Sequence, residues 1–194
     1  MQHSLRDEKG RFRDKHKSLR INLPKDEKSV RDRKIYEFLI KTMAYKDSSQ
    51  ILMYSALPLE VSTSEIFKKA VLDGKKCYFP KCFDYGKMEF YSAEGTELLE
   101  KGRFGIFEPV PDADKKYKPK NFDICIVPAL AYDQEGYRMG FGKGFYDRFL
   151  SSFAGTKIGI CYRENIETCL PRGRYDIHVD ILITEKGLFK LKKR

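Results

Sequence analysis

The chain has 194 residues, 41% hydrophobic and 34% charged, enough for one sizeable core and too apolar for a disordered polymer. A formal net charge of +10 at pH 7 suits an anionic partner such as a nucleotide, a polyanionic substrate or nucleic acid. No apolar run approaches the roughly 20 residues that span a bilayer, and the N-terminus lacks a secretory pattern. A single domain over residues 1–194 is therefore expected, cytoplasmic and without a membrane partner, with poorly ordered ends at 1–8 and 187–194.

Residues 1–34 hold twelve Lys/Arg and six Asp/Glu, interleaved and helix-compatible, whereas a nucleic-acid arm favours a block of one sign. No nucleic-acid partner is expected. Two short basic elements stand out, one at Lys9, Gly10, Arg11, Phe12 and Arg13, the other at 17–20. A solvated helix face explains either. Pro24 with Lys25, Asp26 and Glu27 starts a second helix, whose apolar face of Val30, Ile35, Phe38, Leu39 and Thr42 runs to about Met43.

Residues 51–56 read as a buried strand, and Ser62, Thr63 and Ser64 are candidate caps of a helix over 64–72. The order strand, loop, helix sets Glu60 at the carboxyl end of a strand, where open α/β sheets bind ligands; a lone loop glutamate is otherwise solvated. Residues 76–80 form a strand closed by Pro80, and 88–92 alternate as another. Segment 111–121 reads as a mobile surface loop. Residues 122–130 are almost continuously apolar, as in a central parallel strand, and 157–162 supply a further strand. Strands alternating with helices give a layered α/β fold with a mostly parallel central sheet. Cys77, Cys82, Cys125, Cys161 and Cys169 are odd in number without a C-x-x-C pair, which suggests neither disulfides nor zinc. Cys125 and Cys161 read as core residues. His3, His16 and His178 are too scattered for a metal cluster.

The richest stretch runs from Gly136 through Tyr137, Arg138, Met139, Gly140, Phe141, Gly142, Lys143, Gly144, Phe145, Tyr146 and Asp147 to Arg148. Alternating glycines permit positive φ and close approach of backbone to a ligand. Phe145, Phe149 and Phe153 then share one helical face as far as Gly155. A glycine loop opening a helix binds anions through its N–H groups, and Asp147 in the first turn can hold a Mg²⁺ that bridges to phosphate. The Walker pattern fails because Gly144 follows Lys143, and G-x-G-x-x-G fails because Phe145 stands where glycine is required. A glycine-rich hairpin with aromatic flanks is the plainer alternative.

The run from Arg138 to Arg148 closely resembles the signature of the 5-formyltetrahydrofolate cyclo-ligase family. That resemblance implies a single-domain sandwich of the sugar-isomerase and CoA-transferase type. It also implies ATP- and Mg²⁺-dependent cyclisation of 5-formyltetrahydrofolate to 5,10-methenyltetrahydrofolate, through a phosphorylated formyl group, in a monomeric cytoplasmic enzyme of one-carbon metabolism. By that likeness ATP is held by Lys9, Gly10, Arg11, Phe12 and Arg13, with the second basic element as fallback, and by Arg138, Met139, Gly140, Phe141, Gly142, Lys143, Gly144, Phe145 and Tyr146. The folate is held by Ser55, Glu60, Phe141, Gly142, Lys143, Gly144 and Phe145, with Glu60 on the pterin. Lys143 and Arg138 are the catalytic cations, and Asp147 and Asp176 the metal ligands. Segment 102–109 resembles a part of the family that approaches the site. Tyr175 replaces the family's histidine before Asp176. Two rival readings are a basic nucleotide- or RNA-binding module without turnover, and an ATP-dependent enzyme of the same fold acting on another acceptor.

Overall fold

The computed structural model describes residues 5–95, 99–102 and 105–192. In chain order the elements are α1 (Leu5–Ile21), α2 (Lys25–Leu39), α3 (Met43–Asp47), β1 (Gln50–Leu52), α4 (Ser64–Leu72), β2 (Lys76–Cys82), β3 (Met88–Ser92), β4 (Leu99–Lys101) and β5 (Phe107–Pro109). Then follow β6 (Ile124–Val127), β7 (Ala131–Asp133), β8 (Arg138–Met139), α5 (Phe145–Leu150), β9 (Thr156–Ile160), β10 (Ile166–Glu167), β11 (Ile181–Thr184) and β12 (Gly187–Phe189).

Seven strands form the central sheet in the order β12-β11-β9-β6-β1-β2-β3. The inner pairings β11/β9, β9/β6, β6/β1 and β1/β2 are parallel, and only the edge strands β12 and β3 run antiparallel. A parallel sheet must be covered on both faces, and the sequence supplies two sets of side chains by simple alternation. Ile51, Ile124, Ile126, Ile158 and Ile183 face α2 and α4. Leu52, Cys125, Val127 and Leu182 face Leu150, Phe149 and Phe153. Each fully buried aliphatic chain is worth about 1.5–3 kcal/mol. Two smaller pieces lie outside the main sheet: a β10-β7-β8 ribbon and a β4-β5 hairpin.

Several boundaries differ from the sequence reading. The second helix stops at Leu39, because the Thr42 hydroxyl caps the separate α3 by accepting from Tyr45 N at 3.2 Å. β2 continues past Pro80 to Cys82, since β3 pairs with it as far as Met88. α5 ends at Leu150, and Phe153 reaches the same aromatic group from beyond it, with its ring 5.7 Å from that of Phe149. Segment 111–121 is tied down rather than loose: the Tyr117 hydroxyl donates to Asp123 at 2.6 Å, and Gln50 donates to the Lys118 carbonyl at 3.1 Å. Within the ends expected to be poorly ordered, the residues from Leu5 onward are helical and Gly187–Phe189 pair with β11. All five cysteines are free thiols.

Candidate active site

The carboxyl ends of the parallel strands open into a cavity of about 600 Å³, walled by residues from α1, the β1–α4 loop, β2, β5 and the loop between β8 and α5. Ser55 and Glu60 line it from the first of these loops. Glu60 is buried because its loop folds back on itself: Glu60 N donates to Leu57 O at 2.9 Å, and Leu57 N donates to Glu60 Oε2 at 2.8 Å. Burial raises its carboxyl pKa, offset in part by the Leu57 N–H and by the charges of Arg20 and Lys28. A smaller cavity of about 440 Å³, reached past Ser55, Leu57 and Glu60, adjoins the first.

The glycine loop forms the opposite wall. β7 and β8 make a tight hairpin around buried Asp133, whose Oδ1 accepts from Glu135 N and Tyr137 N at 2.9 and 3.0 Å. Beyond β8 the chain turns through Gly142 and Gly144, whose φ values of 95° and 67° would strain any other residue. A Cβ at Gly142 would also stand 3.1 Å from Arg13 Nη2. Met139, Gly140, Phe141, Gly142, Lys143, Gly144, Phe145 and Tyr146 all line the cavity. α5 has only six residues, so loop amides and side-chain cations, more than a helix dipole, would attract an anion. The Tyr146 hydroxyl is buried without a hydrogen-bond partner, and burial pushes its pKa well up.

α1 lays its basic residues across this loop. Lys9 and Arg13 line the cavity, and Arg13 Nε donates to Gly140 O at 3.0 Å. The intervening residues do not line it: Arg11 is exposed, Phe12 packs on Ala131, Met139 and Leu170, and a Cβ at Gly10 would meet open space. The fallback element does something else. Arg20 is buried and donates to Leu59 O, Ala129 O and Leu130 O at 3.1, 2.6 and 2.9 Å. It clamps α1 to the Glu60 loop and to the chain leaving β6. His16 is fully buried between Glu167, 2.8 Å from Nε2, and Asn165, whose amide donates to Nδ1 at 3.0 Å. That pattern fixes the Nε2–H tautomer, and burial lowers the pKa of the ring.

Cations and carboxylates at this end are already paired. Arg138 donates to Asp147 Oδ1 and to Ile177 O, each at 2.8 Å, and Ile177 N donates to the same Asp147 oxygen at 3.1 Å. Lys9 Nζ lies 2.7 Å from Asp176 Oδ2, which also accepts from Gly173 N at 2.9 Å. Asp147 and Asp176 both face the cavity, and each keeps its second oxygen clear of these bonds. Mg²⁺ usually takes one or two carboxylates and completes its shell with phosphates and water. The pair fits that use, and no larger His, Cys, Asp or Glu cluster exists among the described residues. Tyr175 is exposed, contacts Arg174 through its hydroxyl and does not line the cavity.

Sequence reasoning singled out none of Tyr54, Cys82, Met88 or Glu108 as a site residue, yet all line the cavity. The resemblance brought segment 102–109 near the site without singling out Glu108, which the pairing of β5 with β4 presents to the cavity. No helix among the described residues is long and apolar enough to cross a membrane.

The 5-formyltetrahydrofolate cyclo-ligase family matches residues 5–185 of the chain. The chain is 34% identical to the 5,10-methenyltetrahydrofolate synthetase of Aquifex aeolicus, with a TM-score of 0.83 over 96% of this chain and 94% of that one. A probable 5-formyltetrahydrofolate cyclo-ligase of Schizosaccharomyces pombe is 29% identical over 168 residues, covering 78% and 82% of the two chains. Another from Caenorhabditis elegans is 26% identical over 200 residues, covering 94% and 95%.

Proposed function

Because the chain belongs to the 5-formyltetrahydrofolate cyclo-ligase family, we propose that it closes 5-formyltetrahydrofolate to 5,10-methenyltetrahydrofolate, consuming ATP and releasing ADP and phosphate. What supports this reading is the convergence on one cavity of a buried carboxylate, Glu60, with a cation-rich glycine loop.

The chemistry requires that combination. A formyl oxygen bound through an amide-like carbon is a poor leaving group, and phosphorylation makes it a good one. Phosphoryl transfer asks the protein chiefly for positioning and charge neutralisation. Lys9, Arg13 and Lys143, with the amides of 140–144, supply the charge. Arg138 acts differently: its side chain is 4% exposed and two of its donors are committed, so it orients Asp147 as well as adding charge. Asp147 and Asp176 would hold Mg²⁺, which when bound neutralises phosphate charge. Glu60 accepts from the flat donor edge of the pterin, a bidentate geometry suited to a carboxylate. Phe141 and Phe145 line the same cavity.

The test is near-ultraviolet absorbance of purified protein with 5-formyltetrahydrofolate, Mg²⁺ and ATP. The methenyl chromophore is expected to appear, and to be lost without ATP or in Asp147→Ala. Folded protein that binds ATP but gives no chromophore would overturn the folate assignment.

A further inference from the structure

One acidic side chain in the cavity has no part in that scheme. Glu108 is 1% exposed. Its Oε1 accepts from Cys82 N at 3.2 Å, but its Oε2 is buried with no hydrogen-bond partner. The Lys81 ammonium stands 3.2 Å from Oε2, balancing charge without a bond in line. The neighbouring chain is shaped to admit this carboxylate: a Cβ at Gly102 would lie 2.1 Å from Oε2. Pro80, Met88, Ile106 and Phe145 line the same cavity and offer no competing donor from their side chains. A buried acceptor left open beside an apolar wall calls for a donor from outside the protein.

We propose, resting on the activity proposed above, that Glu108 accepts the proton that N10 of the folate releases when the ring closes. The pterin edge already has Glu60, and N10 carries a donor that must be given up. The N10 lone pair forms the bond to the formyl carbon. The carbon–oxygen bond to the phosphorylated oxygen breaks, with its electron pair leaving on phosphate. The N10 proton passes to Glu108 and on to water. Glu108 is then a catalytic residue, separate from the groups that transfer phosphate.

The assay is rapid-quench kinetics of the first turnover, following ADP and the methenyl chromophore together in the wild type, Glu108→Gln and Glu108→Asp. General-base loss costs typically 10²-fold or more. In Glu108→Gln, methenyl formation is therefore expected to fall about 10²-fold while ADP forms near the wild-type rate, and folate Kd should move less than about tenfold. Glu108→Asp keeps the charge and is expected to recover part of ring closure with ADP formation unchanged. If ADP and chromophore fall together in both variants, Glu108 is a structural ion-pair partner and the inference fails. Normal ring closure in Glu108→Gln also overturns it, leaving the activity intact. Absence of chromophore from the wild type would overturn the activity itself and this inference with it.

Discussion

Arg20 offers the sharpest test of how the site is held. Replacing it with alanine removes three bonds from a charged donor to carbonyls, two buried and one partly buried, at 2.6–3.1 Å. A hydrogen bond to a charged group contributes about 1.5–3 kcal/mol, and an unsatisfied buried partner costs about 1–3 kcal/mol. Arg20 Nε is itself buried without an acceptor, and water can enter the space left behind. Both reduce the simple sum, to a loss of about 4 kcal/mol. That is a large share of the roughly 5–15 kcal/mol available to a typical domain. With a urea slope of about 2 kcal/mol/M, the midpoint should fall by about 2 M. Circular dichroism through a urea titration measures this directly. Arg20→Lys should recover less than half, because one ammonium cannot span three carbonyls as a planar guanidinium does. A loss below about 1 kcal/mol in Arg20→Ala, together with weakened nucleotide binding, would refute the clamp and return Arg20 to the role of a phosphate ligand.

Three further outcomes are expected. Burial raises the Glu60 pKa, so ionised Glu60 opposes folding; its favourable contribution is present below the unfolded value and is lost as pH rises through the folded one. Glu60→Gln should therefore melt higher than wild type at pH 7.5, by about 2–4 °C for each kcal/mol gained, with the difference closing toward pH 4 and folate binding lost; a lower melting temperature at pH 7.5 would contradict this. His16 behaves oppositely: its folded pKa is lowered by burial, with Lys15 and Arg20 adding to the effect and Glu167 opposing it. Its contribution is present above the unfolded value near 6.5 and is lost as pH falls, at up to about 1.4 kcal/mol per pH unit. His16→Gln should flatten the stability profile between pH 7 and 5, and an unchanged slope would dismiss the ring as its source. Asp176→Asn frees Lys9 from a partly exposed ion pair, its side chains 19% and 22% exposed, worth at most about 1 kcal/mol. Calorimetry should then show metal-free ATP binding up to about fivefold tighter and Mg-ATP binding weaker; equal weakening of both would mean that Asp176 does not hold metal.

The central strands were legible as short apolar runs, 122–130 among them, although only Ile124–Val127 of that run pairs in the sheet. The glycine loop was legible because only glycine tolerates the backbone at 142 and 144. What composition could not separate was the work of two similar basic stretches. Lys9 and Arg13 reach the cavity while Arg20 is consumed in packing, a difference set by helix phase and by what lies under each turn. Arg11 and Phe12 fall off the site for the same reason, facing solvent and the core respectively. Glu108 came into view only through its segment, because a two-strand hairpin leaves little periodic signal and nothing in the sequence marks the pairing with Leu99–Lys101 that orients its side chain.

The docking of α1 sets a timetable for biosynthesis. His16 meets partners 149 and 151 residues further along, and Lys9 meets one 167 residues away. At ribosomal rates of about 5–20 residues per second, the helix that carries two of the cavity's cations waits on the order of ten seconds for its seat to be made. During that wait its basic face is open to other anions, and closure of the site is among the last events in the life of the nascent chain.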